Sequence, residues 1–221
     1  MKNQLSTKMK NNNVLLTGAT GGMGRAFSQL LFDKGANLVL VGRDRHKLHE
    51  LKVALLASNS GATNKVEIFA VDLVDSAQRQ ALIAYLQTLE FEINLLINNA
   101  GISQLSLLEQ TTESEINGII STNTIAPMQL TQALLPILLK QSSAQIINIG
   151  STFGSIGFPG YSAYCASKFA LRGFSQALSR ELADTHVTVK YLSPRATKTN
   201  LISVRIKQLN TALKTATDLP E

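Results

Sequence analysis

A single cysteine, Cys165, occurs in 221 residues. An internal disulfide framework is therefore excluded, and a reducing compartment is expected. Charge is sparse, at 16% against 44% hydrophobic residues, which excludes a disordered chain. Long apolar runs are also missing. No stretch of about 18 uncharged apolar residues occurs, so neither a membrane span nor a membrane partner is expected. The first thirteen residues, MKNQLSTKMKNNN, have no signal-peptide apolar region. The expectation is a soluble cytoplasmic protein. At about 150 residues per domain, it reads as a polar tail, 1–13, and one domain, 14–221. That domain is long enough to bury a core without staples.

The formal net charge is +6, and it lies at the ends. Residues 1–13 carry Lys2, Lys8 and Lys10, and residues 190–221 carry six basic and two acidic side chains. The middle, 14–189, has 12 basic and 13 acidic residues. A nucleic-acid binder shows a basic face on its folded body. Here the basic residues read as solvated tails, and no nucleic-acid partner is expected.

Short apolar runs alternate with helical periods. Strands are predicted at 14–17 (VLLT), 37–41 (NLVLV), 65–71, 94–98 (NLLIN), 145–149 (QIINI) and 187–192. Helices are predicted at about 23–34, 44–58, 75–89, 112–140 and 161–183, with a further one at 203–216. Gly35 stops the first, Asp75 caps the third, and Pro127 marks an early turn or a kink in the fourth. Such alternation specifies an α/β protein with a doubly wound parallel sheet and helices on both faces. Ligands of these sheets sit beyond the carboxyl ends of the strands.

The loop after the first strand, Thr17-Gly18-Ala19-Thr20-Gly21-Gly22-Met23-Gly24, suits a nucleotide. Gly18 permits the tight turn, Gly22 a close approach to a pyrophosphate, and Gly24 close packing of the helix. Free amides at the helix start face the anion. Tyr164 and Lys168 are four apart on a predicted helix, so phenol and ammonium share one face. A free phenol titrates near pH 10. Proton transfer near neutrality needs it lowered by about three units, roughly 4 kcal/mol, and a nearby ammonium acts in that direction. Ser151 can hydrogen-bond a carbonyl or alcohol oxygen at the same place. An acid at the end of the second strand would repel a 2′-phosphate. This sequence has Gly42 and then Arg43, which can pair with a phosphate and stack on adenine. NADP(H) is therefore expected over NAD(H). Cys165 reads as a packing residue, having no indicated base partner.

The glycine spacing is T-G-x-x-x-G-x-G. Further motifs follow in order: Asp72 after the third strand, Asn98-Asn99-Ala100-Gly101 after the fourth, and Asn123 in the next helix. Ser151 then stands thirteen residues before Tyr164-Cys165-Ala166-Ser167-Lys168. Over about 14–200 this ordered set resembles the short-chain dehydrogenase/reductase family. The resemblance implies a Rossmann-type fold and an NADP-dependent enzyme that interconverts a carbonyl and an alcohol. Tyr164 would be general acid/base. Ser151 would orient the substrate oxygen. Lys168 would bind the nicotinamide ribose and depress the Tyr164 pKa. Asn123 would hold a relay water. The cofactor residues implied are Gly18, Thr20, Gly21, Gly22, Met23, Gly24, Arg43, Asp72, Leu73, Asn99, Ala100, Gly101, Tyr164, Lys168, Pro194, Thr197 and Thr199. Asp72 would meet the adenine amino group, and Asn99 to Gly101 the adenine ribose.

Two features depart from the family pattern. Arg195 stands where a glycine is usual, and it could reach a phosphate or an anionic substrate. About 20 residues follow Thr199, enough for one helix and no further strand, so six strands and a shortened C-terminal end are expected. The family commonly forms dimers or tetramers, but the segment that often supports this is missing, which leaves a homo-oligomer open. Ile102, Ser103, Phe153, Phe158, Pro159 and Tyr161 suit either an apolar pocket or plain loop packing. A non-catalytic nucleotide-binding protein on the same fold is the alternative function.

Overall fold

The structure, a computed structural model, describes residues 12–194. Six strands form one sheet: β1 (Asn13–Thr17), β2 (Asn37–Gly42), β3 (Val66–Ala70), β4 (Leu95–Asn98), β5 (Ala144–Ile149) and β6 (Val187–Leu192). Their order is β3-β2-β1-β4-β5-β6 and every pairing is parallel. The order reverses between β1 and β4, which opens a crevice beyond their carboxyl ends.

Sequence dictates this layering. A parallel sheet covered on both faces needs near-continuous apolar strands. Accordingly Val14, Leu15, Leu16, Leu38, Val39, Leu40 and Val41 are wholly buried. The edge strand β6 alternates instead: Val187 is buried while Thr188, Lys190 and Leu192 are exposed.

Helices supply one core to each face. On one side Phe32 of α1 (Gly22–Asp33) and Leu48, Leu51 and Leu55 of α2 (Arg45–Ser58) pack with Leu16 and Leu38. On the other, Leu82 of α3 (Ser76–Leu86), Leu130 and Leu134 of α5 (Ala126–Leu138) and Leu178 of α6 (Ser162–Glu181) pack with Leu15 and Val39. Asp44 and Asp75 cap α2 and α3 by accepting the Lys47 and Gln78 amides. Thr112 and Glu115 form a capping box on α4 (Glu113–Ile120).

The helical stretch predicted at 112–140 divides in three. Between α4 and α5, residues Ser121–Ile125 form a π turn. Pro127 is the second residue of α5 and follows directly on this π turn, whose widened ladder accommodates a residue without an N–H. The predicted helix at 203–216 lies outside the described residues. Among the described residues, no helix is long and apolar enough to cross a membrane.

Candidate active site

The loop from β1 to α1 is shaped by two close approaches. Gly18 has φ +63, and a Cβ there would lie 2.7 Å from the Ala100 Cα. That backbone region favours glycine. A Cβ on Gly24 would run into the Gly18 carbonyl and lie 2.8 Å from the Ala19 backbone, so the helix seats against the loop itself. Unlike α2, α3 and α4, α1 has no side-chain cap at its Gly21 N-cap. Gly21 and Gly22 are exposed, which leaves donors of the first turn open to an anion.

Thr17 ties this loop to the turn after β4. Its hydroxyl accepts the Asn99 and Ala100 amides, both at 3.0 Å. Asn99 Nδ2 donates to the Thr17 and Gly18 carbonyls. Its Oδ1 is the one orphaned buried side-chain oxygen among the described residues. Asn98 points into the core instead, donating to Thr131 Oγ1 and, at 2.8 Å, to Asn148 Oδ1.

Around the rest of the crevice, Thr20 Oγ1 is 3.5 Å from where a Gly42 Cβ would be, so the end of β2 abuts the glycine loop. Arg43 is exposed. The next acid, Asp44, is committed to α2, bonding the Lys47 amide and facing Lys47 Nζ at 3.5 Å. Asp72 is exposed and holds the Val74 amide through Oδ1. Leu73 is buried, and its carbonyl accepts from Arg79.

The structure brings Asn123, Ser151, Tyr164 and Lys168 together at the carboxyl ends of β4 and β5. Lys168 is buried and donates to the Ile149 carbonyl at 3.0 Å. Burial pushes its pKa down from 10.5 to about 8. Nζ lies 5.8 Å from the Tyr164 ring centre. Both Lys168 Nζ and Asn123 Oδ1 flank Gly101, at 3.5 Å and 3.2 Å from the position of its absent Cβ. The Tyr164 phenol is pushed up from its ordinary value, foremost by burial, while a hydrogen bond with Ser151 opposes the rise. This differs from the expected depression by Lys168. Desolvation of the phenolate outweighs the favourable bond, and the ammonium is engaged with Ile149.

Both amide hydrogens of Asn123 are used. Oδ1 accepts the Ile102 amide at 2.8 Å, and Nδ2 donates to the Ile102 carbonyl at 2.8 Å and Ser167 Oγ at 3.0 Å. It thus clips the turn after β4 to α6. Phe153 stands edge-on to Tyr164, with centroids 6.3 Å apart, and stacks on Phe158 at 5.1 Å. Tyr161 lies 6.0 Å from Tyr164. An aromatic group therefore borders the phenol.

The short chain dehydrogenase family model matches residues 12–210. The chain belongs to this family. As a member of the short chain dehydrogenases it is 35% identical over 193 residues to dehydrogenase/reductase SDR family member 7B of Mus musculus, covering 87% of this chain and 60% of that relative. It thus spans about three fifths of that relative's length. It is 30% identical over 187 residues to 3-oxoacyl-[acyl-carrier-protein] reductase FabG of Escherichia coli (strain K12), covering 85% and 74%. Among solved structures, a short chain dehydrogenase from Shigella flexneri complexed with NADP superposes with a TM-score of 0.82 at 27% identity, covering 90% and 84%.

Of the family-implied residues, Pro194 is partly buried at the end of the described chain. Arg195, Thr197 and Thr199 lie outside it. Sequence reasoning missed the polar supports of this short chain dehydrogenase site. Asn148 donates to Ser175 Oγ at 2.8 Å. Ser167 accepts from Asn123 and donates to the Tyr164 carbonyl at 2.7 Å. Tyr191 reaches Ser151 from β6. The available signal was polarity inside apolar runs: Asn148 in QIINI and Tyr191 in VTVKYL.

Proposed function

We propose that the chain is an NADP(H)-dependent oxidoreductase that interconverts a carbonyl and an alcohol. The observation that carries this reading is the buried Lys168 ammonium 5.8 Å from the Tyr164 ring centre, in the crevice where such sheets take ligands. Open donors at the start of α1 and the unpartnered Asn99 Oδ1 fit a phosphate-bearing nucleotide with ribose hydroxyls. Arg43, with no acid free at the end of β2, fits a 2′-phosphate. The NADP complex of the Shigella relative supports the same cofactor.

When bound, NADP(H) supplies or accepts the hydride. Tyr164 gives the substrate oxygen its proton in reduction and takes it in oxidation. Ser151 orients that oxygen by hydrogen bonding. Lys168, protonated at neutral pH because its pKa is about 8, holds ribose hydroxyls and lends positive potential. Its field, together with the oxidised ring's charge, acts against the burial that raises Tyr164. Asn123 fixes the Gly101–Ile102 turn against α6.

The loop from Ser151 to Tyr161 carries no charged residue. Its aromatic group suits an uncharged substrate, apolar beside the carbonyl. We place the reaction in the cytoplasm, on a small molecule rather than a nucleic acid or membrane; self-association is compatible with the reading.

The test is NADPH consumption over a panel that includes an acetoacetyl thioester, an aromatic diketone and a keto acid. Wild type should reduce the uncharged compounds. Tyr164→Phe should lose roughly 100- to 10,000-fold in turnover with NADPH affinity kept. Equal consumption by both proteins refutes the mechanism. NADPH binding without turnover across the panel favours a non-catalytic nucleotide-binding protein.

A further inference from the structure

Tyr191 lies on β6, paired with Asn148 of β5, and is half-buried between exposed Lys190 and Leu192. Its hydroxyl accepts the Ser151 amide at 3.3 Å. The same hydroxyl donates toward two carbonyls, Ser151 at 3.3 Å and Lys168 at 3.4 Å. Each bond is long, but together they join the backbones of Ser151 and Lys168, and the Lys168 ammonium faces the Tyr164 ring. A Cβ at Gly150 would overlap the Tyr191 ring and hydroxyl, and a Cβ at Gly154 would overlap the hydroxyl. The two glycines bracket Ser151 in sequence and leave the volume that the phenol fills.

From this contact set we infer that Tyr191 is a positioning residue, holding the Ser151 backbone and the Lys168 turn of α6 in register so that both side chains meet Tyr164. The inference rests on the carbonyl-reduction reading above. Tyr191 needs no contact with reacting atoms. Its hydroxyl is saturated by backbone groups, and burial raises its own titration, so it acts as a neutral donor and acceptor. A hydrophobic side chain could fill the same space. Only a hydroxyl at the end of a rigid ring both accepts from Ser151 and donates to the carbonyl side of the clamp.

The experiment uses the full chain, NADPH and the carbonyl compound reduced in the panel. Tyr191→Phe keeps the ring and removes the hydroxyl. We expect kcat to fall roughly ten- to hundredfold, the scale of a misplaced catalytic group, with the KM for NADPH and the melting temperature nearly unchanged. Gly150→Ala pushes on the same clamp from the other side and should lower kcat likewise. In Gly150→Ala/Tyr191→Ala the methyl meets no ring, so the double variant should lose less than Gly150→Ala and Tyr191→Ala combined.

Wild-type kcat in Tyr191→Phe overturns the inference, and so does a loss that only tracks reduced melting temperature. Failure of both single variants to fold makes Tyr191 a stability residue and also overturns it. Tyr164→Phe serves as the reference. If it turns over like wild type, the underlying mechanism fails. If it is inactive while Tyr191→Phe is normal, only the positioning role fails.

Discussion

The Lys168 ammonium donates to the Ile149 carbonyl at 3.0 Å while its Nζ lies 5.8 Å from the Tyr164 ring centre. One cation thus closes the end of β5 and faces the candidate proton donor. Its burial costs stability. Folding lowers the pKa from 10.5 to about 8, so between those values the unfolded chain binds more protons. The penalty is complete below about pH 8 and disappears as pH rises toward 10.5. At roughly 1.4 kcal/mol per unit it amounts to about 3 kcal/mol, less the bond to Ile149. Lys168→Met should therefore melt at or above the wild-type temperature at pH 7, with that advantage shrinking by pH 10, and should lose NADPH turnover. Thermal melts across pH, read beside turnover, check both halves.

Cofactor choice is predicted to turn on Gly42 and Arg43. Arg43→Ala should weaken NADPH binding about ten- to hundredfold, the worth of a charge-assisted hydrogen bond, and leave NADH unaffected. Gly42→Asp should repel the 2′-phosphate and shift preference toward NADH. Titrations of both cofactors into the three proteins decide this. Equal affinities in wild type refute it.

Asn148 is wholly buried and bridges Asn98 to Ser175. Asn148→Ala leaves a void and strips one partner from each neighbour. A loss of about 2–3 kcal/mol is expected, which for a domain of this size lowers the melting temperature by roughly 5–10 °C. Asn148→Asp should cost at least as much, since its second oxygen can no longer donate to Ser175. Denaturant melts measure both.

The fold was largely legible because a doubly covered parallel sheet writes itself as short, nearly unbroken apolar runs. VLLT, NLVLV and NLLIN became β1, β2 and β4 within a residue or two. Tyr164 and Lys168 were legible because four residues is one helical turn. What escaped were polar groups satisfied only by distant partners. Asn148 finds Ser175 27 residues away and Tyr191 finds Ser151 40 residues away, and no local pattern announces such pairs. The pKa of Tyr164 escaped for a related reason. The spacing brought an ammonium near, but the dominant effect, loss of water around the phenol, depends on what other segments cover it.

The π turn at Ser121–Ile125 has a consequence for how the chain tolerates length change. One extra residue in a helix rotates everything after it by about 100°. Here the wide turn absorbs that residue, so Asn123 faces Ile102 and Ser167 while Leu130, Leu134 and Leu138 still face the sheet. Removing a single residue from 121–125 would restore a regular helix and leave the leucine stripe of α5 on the sheet, at the expense of the Asn123 clip. This short span therefore lets the site carry one residue more than the core needs, and a deletion within it would cost the crevice more than the fold.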